Sequence, residues 1–128
     1  MSGKPVATQV IRRASVTDPK LDPSNHFTIY RVRLETIPVS LDEAAEVIEF
    51  YKRYSDFKKL ETDILRYYKQ LCRPDPFPTI PSPVVRNRFD EAVIEERRMR
   101  AELMLQFILE REYLYEHNAF SKFCRRDT

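Results

Sequence analysis

Glycine is almost missing from this sequence, with Gly3 the only one in 128 residues. A glycine-rich loop that cradles phosphates on its backbone N–H groups is therefore excluded, and with it the main signature of a nucleotide-handling enzyme. Cysteine is nearly as scarce. Cys72 and Cys124 lie far apart and no apolar signal segment precedes them, so the reading is of reduced cytosolic thiols rather than a disulfide framework. Adding His26 and His117 yields no closely spaced ligand pair, so neither a metal nor any other cofactor is expected. Long apolar runs are also lacking: none approaches the roughly 18 to 20 residues that span a bilayer. Ser2 stands where a myristoylation glycine would, so any membrane contact is expected to be peripheral. Finally, no excess of one charge exists, since 22 basic and 20 acidic residues leave +2. Lys58-Lys59 and Arg97-Arg98 are offset by acids, and a nucleic-acid partner is not expected.

What is present reads as one compact domain. Apolar residues make up 42% and charged residues 33%, enough apolar side chain to offset the ordering entropy of a single core. Prolines punctuate the chain. A β-like stretch at 10–16 is followed by a loop from Asp18-Pro19 to Pro23-Ser24-Asn25, and then by a strand at 27–37. In that strand Tyr30, Val32 and Leu34 alternate with Arg31, Arg33 and Glu35, the period of two that buries one face. A third strand at 47–54 completes an antiparallel meander. Ser55 is then a suitable N-cap, and Phe57, Leu60, Ile64, Leu65, Tyr68 and Leu71 recur at helical spacing until Pro74. Five prolines between residues 74 and 83 form a stiff extended strut. Asp90 and Glu91 open a long helix, placing acids where its dipole favours them, and a short helix at 118–124 closes the fold. The expected class is α+β, a three-stranded antiparallel meander packed against a helical subdomain with a proline-rich loop. Residues 1–9 are expected to be a flexible N-terminus, 10–125 the domain and 126–128 a tail; an end so close to the last helix suggests a piece of a longer chain.

Two arginines carry the functional reading. At about 100° per residue from Val93, Arg97 falls near 40°, inside the sector of Ala101, Met104 and Ile108. A guanidinium there needs a carboxylate, carbonyls, or an anionic or polyhydroxyl ligand. A structural pair with an acid of the first helix, or a snorkelling stem, would satisfy it equally. Arg53 ends the third strand on a rigid element, where its planar fork could hold a phosphate with charge-assisted bonds of about 1.5 to 3 kcal/mol each. Tyr54 beside it either walls the ligand or is simply core. Glu95 and Glu96 point about 100° apart and do not form an acid–base pair, so no enzyme is expected.

Lys52-Arg53-Tyr54-Ser55-Asp56-Phe57, the proline-rich strut and Val93-Ile94-Glu95-Glu96-Arg97-Arg98 resemble, in order and spacing, the PX (phox-homology) domains. The likeness covers residues 11–123. Ser15-Val16-Thr17-Asp18-Pro19, Arg88-Phe89 and Ala101-Glu102 make it most similar to the PX domains of sorting nexins that carry a microtubule-interacting-and-trafficking domain, and of a related S6-kinase-like family. The resemblance implies a phosphoinositide-binding module, with phosphatidylinositol 3-phosphate as ligand. Arg53 corresponds to the residue on the 3-phosphate, Tyr54 to the aromatic under the inositol ring and Arg97 to the arginine on the ring hydroxyls. Where the family places a loop lysine on the 1-phosphate, this chain has Pro83; Arg86 or Arg88 could substitute for it, and a solvated charge leading into the helix is their other reading. Val84 and Val85 correspond to an apolar tip inserted into the bilayer; ordinary core contacts are their other reading. The implied setting is cytoplasmic, peripheral on the anionic leaflet of early endosomes. The alternative is a PX-fold interaction module with weak or no lipid binding, whose partners are trafficking proteins or a second copy of itself. Pro78-x-x-Pro81 also fits a minimal Src-homology-3 ligand, although in PX domains this loop chiefly shapes the lipid pocket.

Overall fold

The structure, a computed structural model, describes residues 9–22, 24, 27–40, 42–81 and 90–125. Expectations that fall on 1–8, 82–89 or 126–128 lie outside the described residues. Strands β1 (Val10–Asp22), β2 (Phe27–Pro38) and β3 (Glu46–Arg53) form an antiparallel sheet in the order β1-β2-β3. Helices α1 (Tyr54–Gln70), α2 (Glu91–Leu109), α3 (Glu112–Tyr115) and α4 (Asn118–Cys124) follow. The expected α+β meander with its helical subdomain is therefore the observed architecture.

The alternation in β2 works as read. Tyr30, Val32 and Leu34 are buried, and the register sets Val32 against Val16 on one side and Phe50 on the other. Phe57 and Phe123 close over this face, Phe57 edge-on to Tyr30 at 6.0 Å and Phe123 edge-on to Phe50 at 5.7 Å. Each such aromatic burial removes enough apolar area to stabilise the fold by roughly 1.5 to 3 kcal/mol. On the opposite face Arg31 pairs with Glu49 and lies 3.3 Å from Asp18.

Three boundaries differ from the sequence reading. β1 continues to Asp22 rather than stopping near residue 16, because its register with β2 shifts between Thr17 and Lys20. Such a bulge on an outer strand accommodates Pro19, which has no N–H to give to a ladder. Tyr54 is the first residue of α1 rather than the last of β3, and Ser55 is not its cap. Arg53 occupies the N-cap position, where its backbone N–H donates to the Asp56 carboxylate at 3.0 Å. The four-residue α3 was not expected, since one helical turn is too short to show a period.

α2 lies along the outer edge of β1, and a stripe of its side chains at i, i+4 and i+8 satisfies the strand's outward backbone groups. The Gln106 amide accepts from Ala14 N–H at 2.9 Å and donates to the Arg12 carbonyl at 3.0 Å. Glu102 accepts from Val16 N–H at 3.0 Å, and Arg98 donates to the Val16 carbonyl at 2.9 Å. A strand edge that would otherwise face water is closed by side chains, which removes a pairing hazard and fixes the rotation of α2 about its axis.

The scarcity of glycine shows where the chain needs a left-handed residue. Asp18 at the bulge has φ 52° and Cys72 at the end of α1 has φ 51°. Cys72 takes the place glycine usually holds after a helix, its N–H reaching the Lys69 carbonyl at 3.3 Å. Its side chain is exposed, and both cysteines are free. The left-handed conformation costs a residue with Cβ about 1 to 2 kcal/mol, partly offset by the larger unfolded-state entropy of glycine. Cys72→Gly is therefore expected to raise stability by about 0.5 to 1 kcal/mol, measured by urea denaturation.

Candidate functional site

Where β3 becomes α1, the chain turns at Arg53 and Tyr54. Arg53 is exposed, with its guanidinium 5.2 Å from the Phe27 ring centroid at the start of β2. No described carboxylate forms an ion pair with it. Tyr54, one residue on, is buried. Its hydroxyl donates to the Pro81 carbonyl, so the first turn of α1 is tied to the end of the described strut.

Arg97 comes from α2. It is 8% exposed, and it lies in the same helical sector as the buried Ala101, Met104 and Ile108. Its guanidinium sits 4.1 Å from the centroid of the Tyr54 ring, where the ring's electron-rich face meets the charge. The Tyr30 hydroxyl reaches toward the Ile94 carbonyl, one turn earlier, at 3.5 Å. Burial pushes both phenols above their ordinary pKa, with Arg97 acting in the opposite direction. Tyr54 thus carries Arg97 on its ring, while the guanidinium of Arg53, its neighbour in the chain, lies against Phe27. Tyr54 is buried, and one face of its ring is covered by Arg97.

The strut is held along one face of α1 by residues 54, 58, 61 and 68. Ile80 is buried, its N–H donating to Glu61 at 2.6 Å and its carbonyl accepting from Lys58 at 3.3 Å. Lys58 and Glu61 are themselves paired at 2.6 Å. Further back, the Tyr68 hydroxyl donates to the Asp75 carbonyl at 2.6 Å. Phe77 packs between Tyr68 and Phe107, with centroids at 5.7 and 5.3 Å. The described strut is therefore fixed to α1 near both of its ends.

Glu61 was not foreseen as a site-building residue. The signal was present: about 40° from Phe57 on a helical projection, it lies between Phe57 and the apolar sector's edge, the same placement that singled out Arg97. Arg98, read as one of two adjacent bases, serves the β1 edge instead and is paired with Glu95 at 2.5 Å. Arg86, Arg88, Val84, Val85 and Pro83 lie outside the described residues. Among the described residues no group of three or more His, Cys, Asp or Glu could hold a metal ion, and no helix is long and apolar enough to cross a membrane.

Comparison with known proteins gives consistent results. The family model for the PX domain matches residues 43–127. Human ribosomal protein S6 kinase delta-1 is 36% identical over 120 residues, covering 93% of this chain and 11% of the kinase. Rat sorting nexin-15 is 36% identical over 108 residues, covering 84% of this chain and 32% of the nexin. The chain thus spans about a tenth of the one relative and a third of the other. Among solved structures, a designed CISK-PX domain superposes with a TM-score of 0.66 at 22% identity, over 89% of this chain and 99% of that one.

Two outcomes test this geometry. Glu61→Ala leaves the buried Ile80 N–H without its acceptor and Lys58 without its partner, and is expected to cost about 2 to 4 kcal/mol in denaturant unfolding. Tyr30 and Tyr54 hold their protons more tightly folded than unfolded, where the ordinary value is 10.0. Above that pH the unfolded chain sheds protons that the native chain keeps, so stability falls as pH rises past 10. Urea midpoints followed from pH 9 to 11 should show this decline, and Tyr54→Phe should make it shallower.

Proposed function

This chain belongs to the PX domain family, and from that we propose that it is a non-catalytic module that binds a phosphoinositide headgroup, phosphatidylinositol 3-phosphate, and so recruits its protein to early endosomal membranes. The observation that carries the reading is the Arg97 guanidinium held in a buried position against Tyr54, one residue from the exposed Arg53 at the strand–helix junction. A permanent cation in a partly desolvated wall favours an anionic, polyhydroxyl ligand far more than water-exposed charge would.

In this reading Arg53 grips the 3-phosphate with two charge-assisted bonds. Arg97, held in place by Tyr54, donates to the ring hydroxyls, while the Tyr54 ring and the strut exclude water from one side. Arg86 or Arg88 takes the 1-phosphate in place of a loop lysine, because Pro83 has no donor to offer. Val84 and Val85 rest in the bilayer interface, contributing roughly 2 to 4 kcal/mol. Neighbouring bases add about 1 kcal/mol each on an anionic leaflet. Pro83 also favours a second reading, an interaction module that kept the fold and bound trafficking proteins, since the loss of one phosphate contact weakens affinity by about one to two decades.

Liposome sedimentation separates the two. Vesicles containing phosphatidylinositol 3-phosphate are expected to pull down the chain, and Arg53→Gln to lower that binding at least about a hundredfold. Indifference of the unaltered chain to the headgroup favours the interaction module instead. Arg97→Met should weaken binding of the folded fraction about tenfold; a shift in melting temperature alone would make it structural. Joint replacement of Arg86 and Arg88 by alanine should lower binding by one to two decades on the same estimate, and unchanged binding would remove them from the 1-phosphate.

A further inference from the structure

The sheet and the last two helices leave a cavity of about 440 Å³, in the size range that accepts a ligand or a bulky side chain. Its apolar walls are Leu34, Ile48, Leu109, Tyr115 and Phe120. Leu34, Leu109 and Phe120 are core residues, but Ile48 is 49% exposed. Alternation along β3 puts Ile48 on the same face as Phe50, which is buried against Phe123. An inward-facing isoleucine is thus left uncovered because the helices stop short of it.

The mouth of this cavity is acidic. Glu46 and Glu116 line it, are exposed, and form no ion pair among the described residues. Glu35 also borders it but stands opposite Arg13 in the β1–β2 register. Arg12, the basic residue of the lining, pairs through its terminal nitrogen with Glu112 at 2.9 Å and lies 3.9 Å over the Tyr115 ring, while its buried Nε has no hydrogen-bond partner among the described residues.

Beside the cavity runs a strand edge. The sheet order leaves β3 outermost, and its second edge is unpaired among the described residues, whereas the β1 edge is closed by α2 side chains. An exposed edge next to a walled cavity is the arrangement in which an added strand gains affinity from backbone bonds and specificity from one inserted side chain.

We propose that this end of the sheet is a peptide-binding site, in which an extended segment of a partner protein pairs with β3 and places a large apolar side chain in the cavity beside Ile48, with lysine or arginine two residues to either side of it, on the same face as Glu46 and Glu116. The acidic mouth selects against an anionic lipid and for a basic segment. Glu46 and Arg53 are the first and last residues of the 8-residue β3, roughly 23 Å apart at about 3.3 Å per residue. A headgroup at one end and a peptide at the other therefore do not compete.

The probe is a blocked hexapeptide, acetyl-KVFVKV-amide, whose lysines share a face with its phenylalanine, titrated into isotopically labelled protein with acetyl-EVFVEV-amide as its control. The lysine peptide is expected to shift the amides of residues 46–48 and 115–121 while leaving 53, 54 and 97 in place. Its affinity should fall at least tenfold in the double variant Glu46→Lys/Glu116→Lys, whose substitutions are both on exposed side chains and leave vesicle sedimentation unchanged. Equal binding of the glutamate peptide, shifts confined to another face, full affinity in the double variant, or no binding at millimolar peptide would each overturn the proposal. So would light scattering that gives twice the 15.3 kDa chain mass with those same amides broadened, since a second copy would then cover the face.

Discussion

A guanidinium cannot shed its proton, so an arginine turned into the apolar sector of a helix obliges its surroundings to meet a charge. In this chain that residue is Arg97, and the face of the Tyr54 ring meets it at 4.1 Å. The position of Tyr54 is itself determined twice, by standing at the first turn of α1 and by its hydroxyl on the Pro81 carbonyl. The strut that carries Pro81 is held in turn by Glu61 at Ile80 and by Tyr68 at Asp75. A dependency runs from one buried charge through an aromatic ring to the proline-rich strut.

The neighbouring residue shows how α2 can serve two masters. Arg98, about 100° further round the helix, turns to the Val16 carbonyl, and with Glu102 and Gln106 it closes the β1 edge. That polar stripe sets the rotation of α2, and the rotation is what points Arg97 at Tyr54. The sheet is consequently asymmetric: one edge is sealed by helix side chains, while β3 is left outermost beside Ile48 and the acidic cavity. The proposed headgroup site and the proposed peptide site would therefore fall at opposite ends of one short strand.

Much of this was legible from residue pattern. Alternation in β2 identified the buried face because side chains on a pleated strand have a period of two, and Tyr30, Val32 and Leu34 followed it. Helical spacing found α1 and α2, and angular placement alone marked Arg97 as buried. The continuation of β1 past Pro19 was not legible, since proline normally argues against a strand and only the register shift makes room for it. Glu61 was overlooked although the argument used for Arg97 applies to it, because an acid two turns into a helix reads by default as a solvated charge.

Sequence by itself settled the class of the fold, the order of its strands and longer helices and the residue types able to meet an anion, since periodicity and fixed side-chain chemistry are local properties. Tertiary structure alone decided that Tyr54 is a buried support with a guanidinium on its face, that Arg98 belongs to the sheet edge, and that Ile48 opens on an acidic cavity. These outcomes depend on which side chains from distant segments arrive at the same place. That is a matter of packing among long-range neighbours, to which a local pattern is blind.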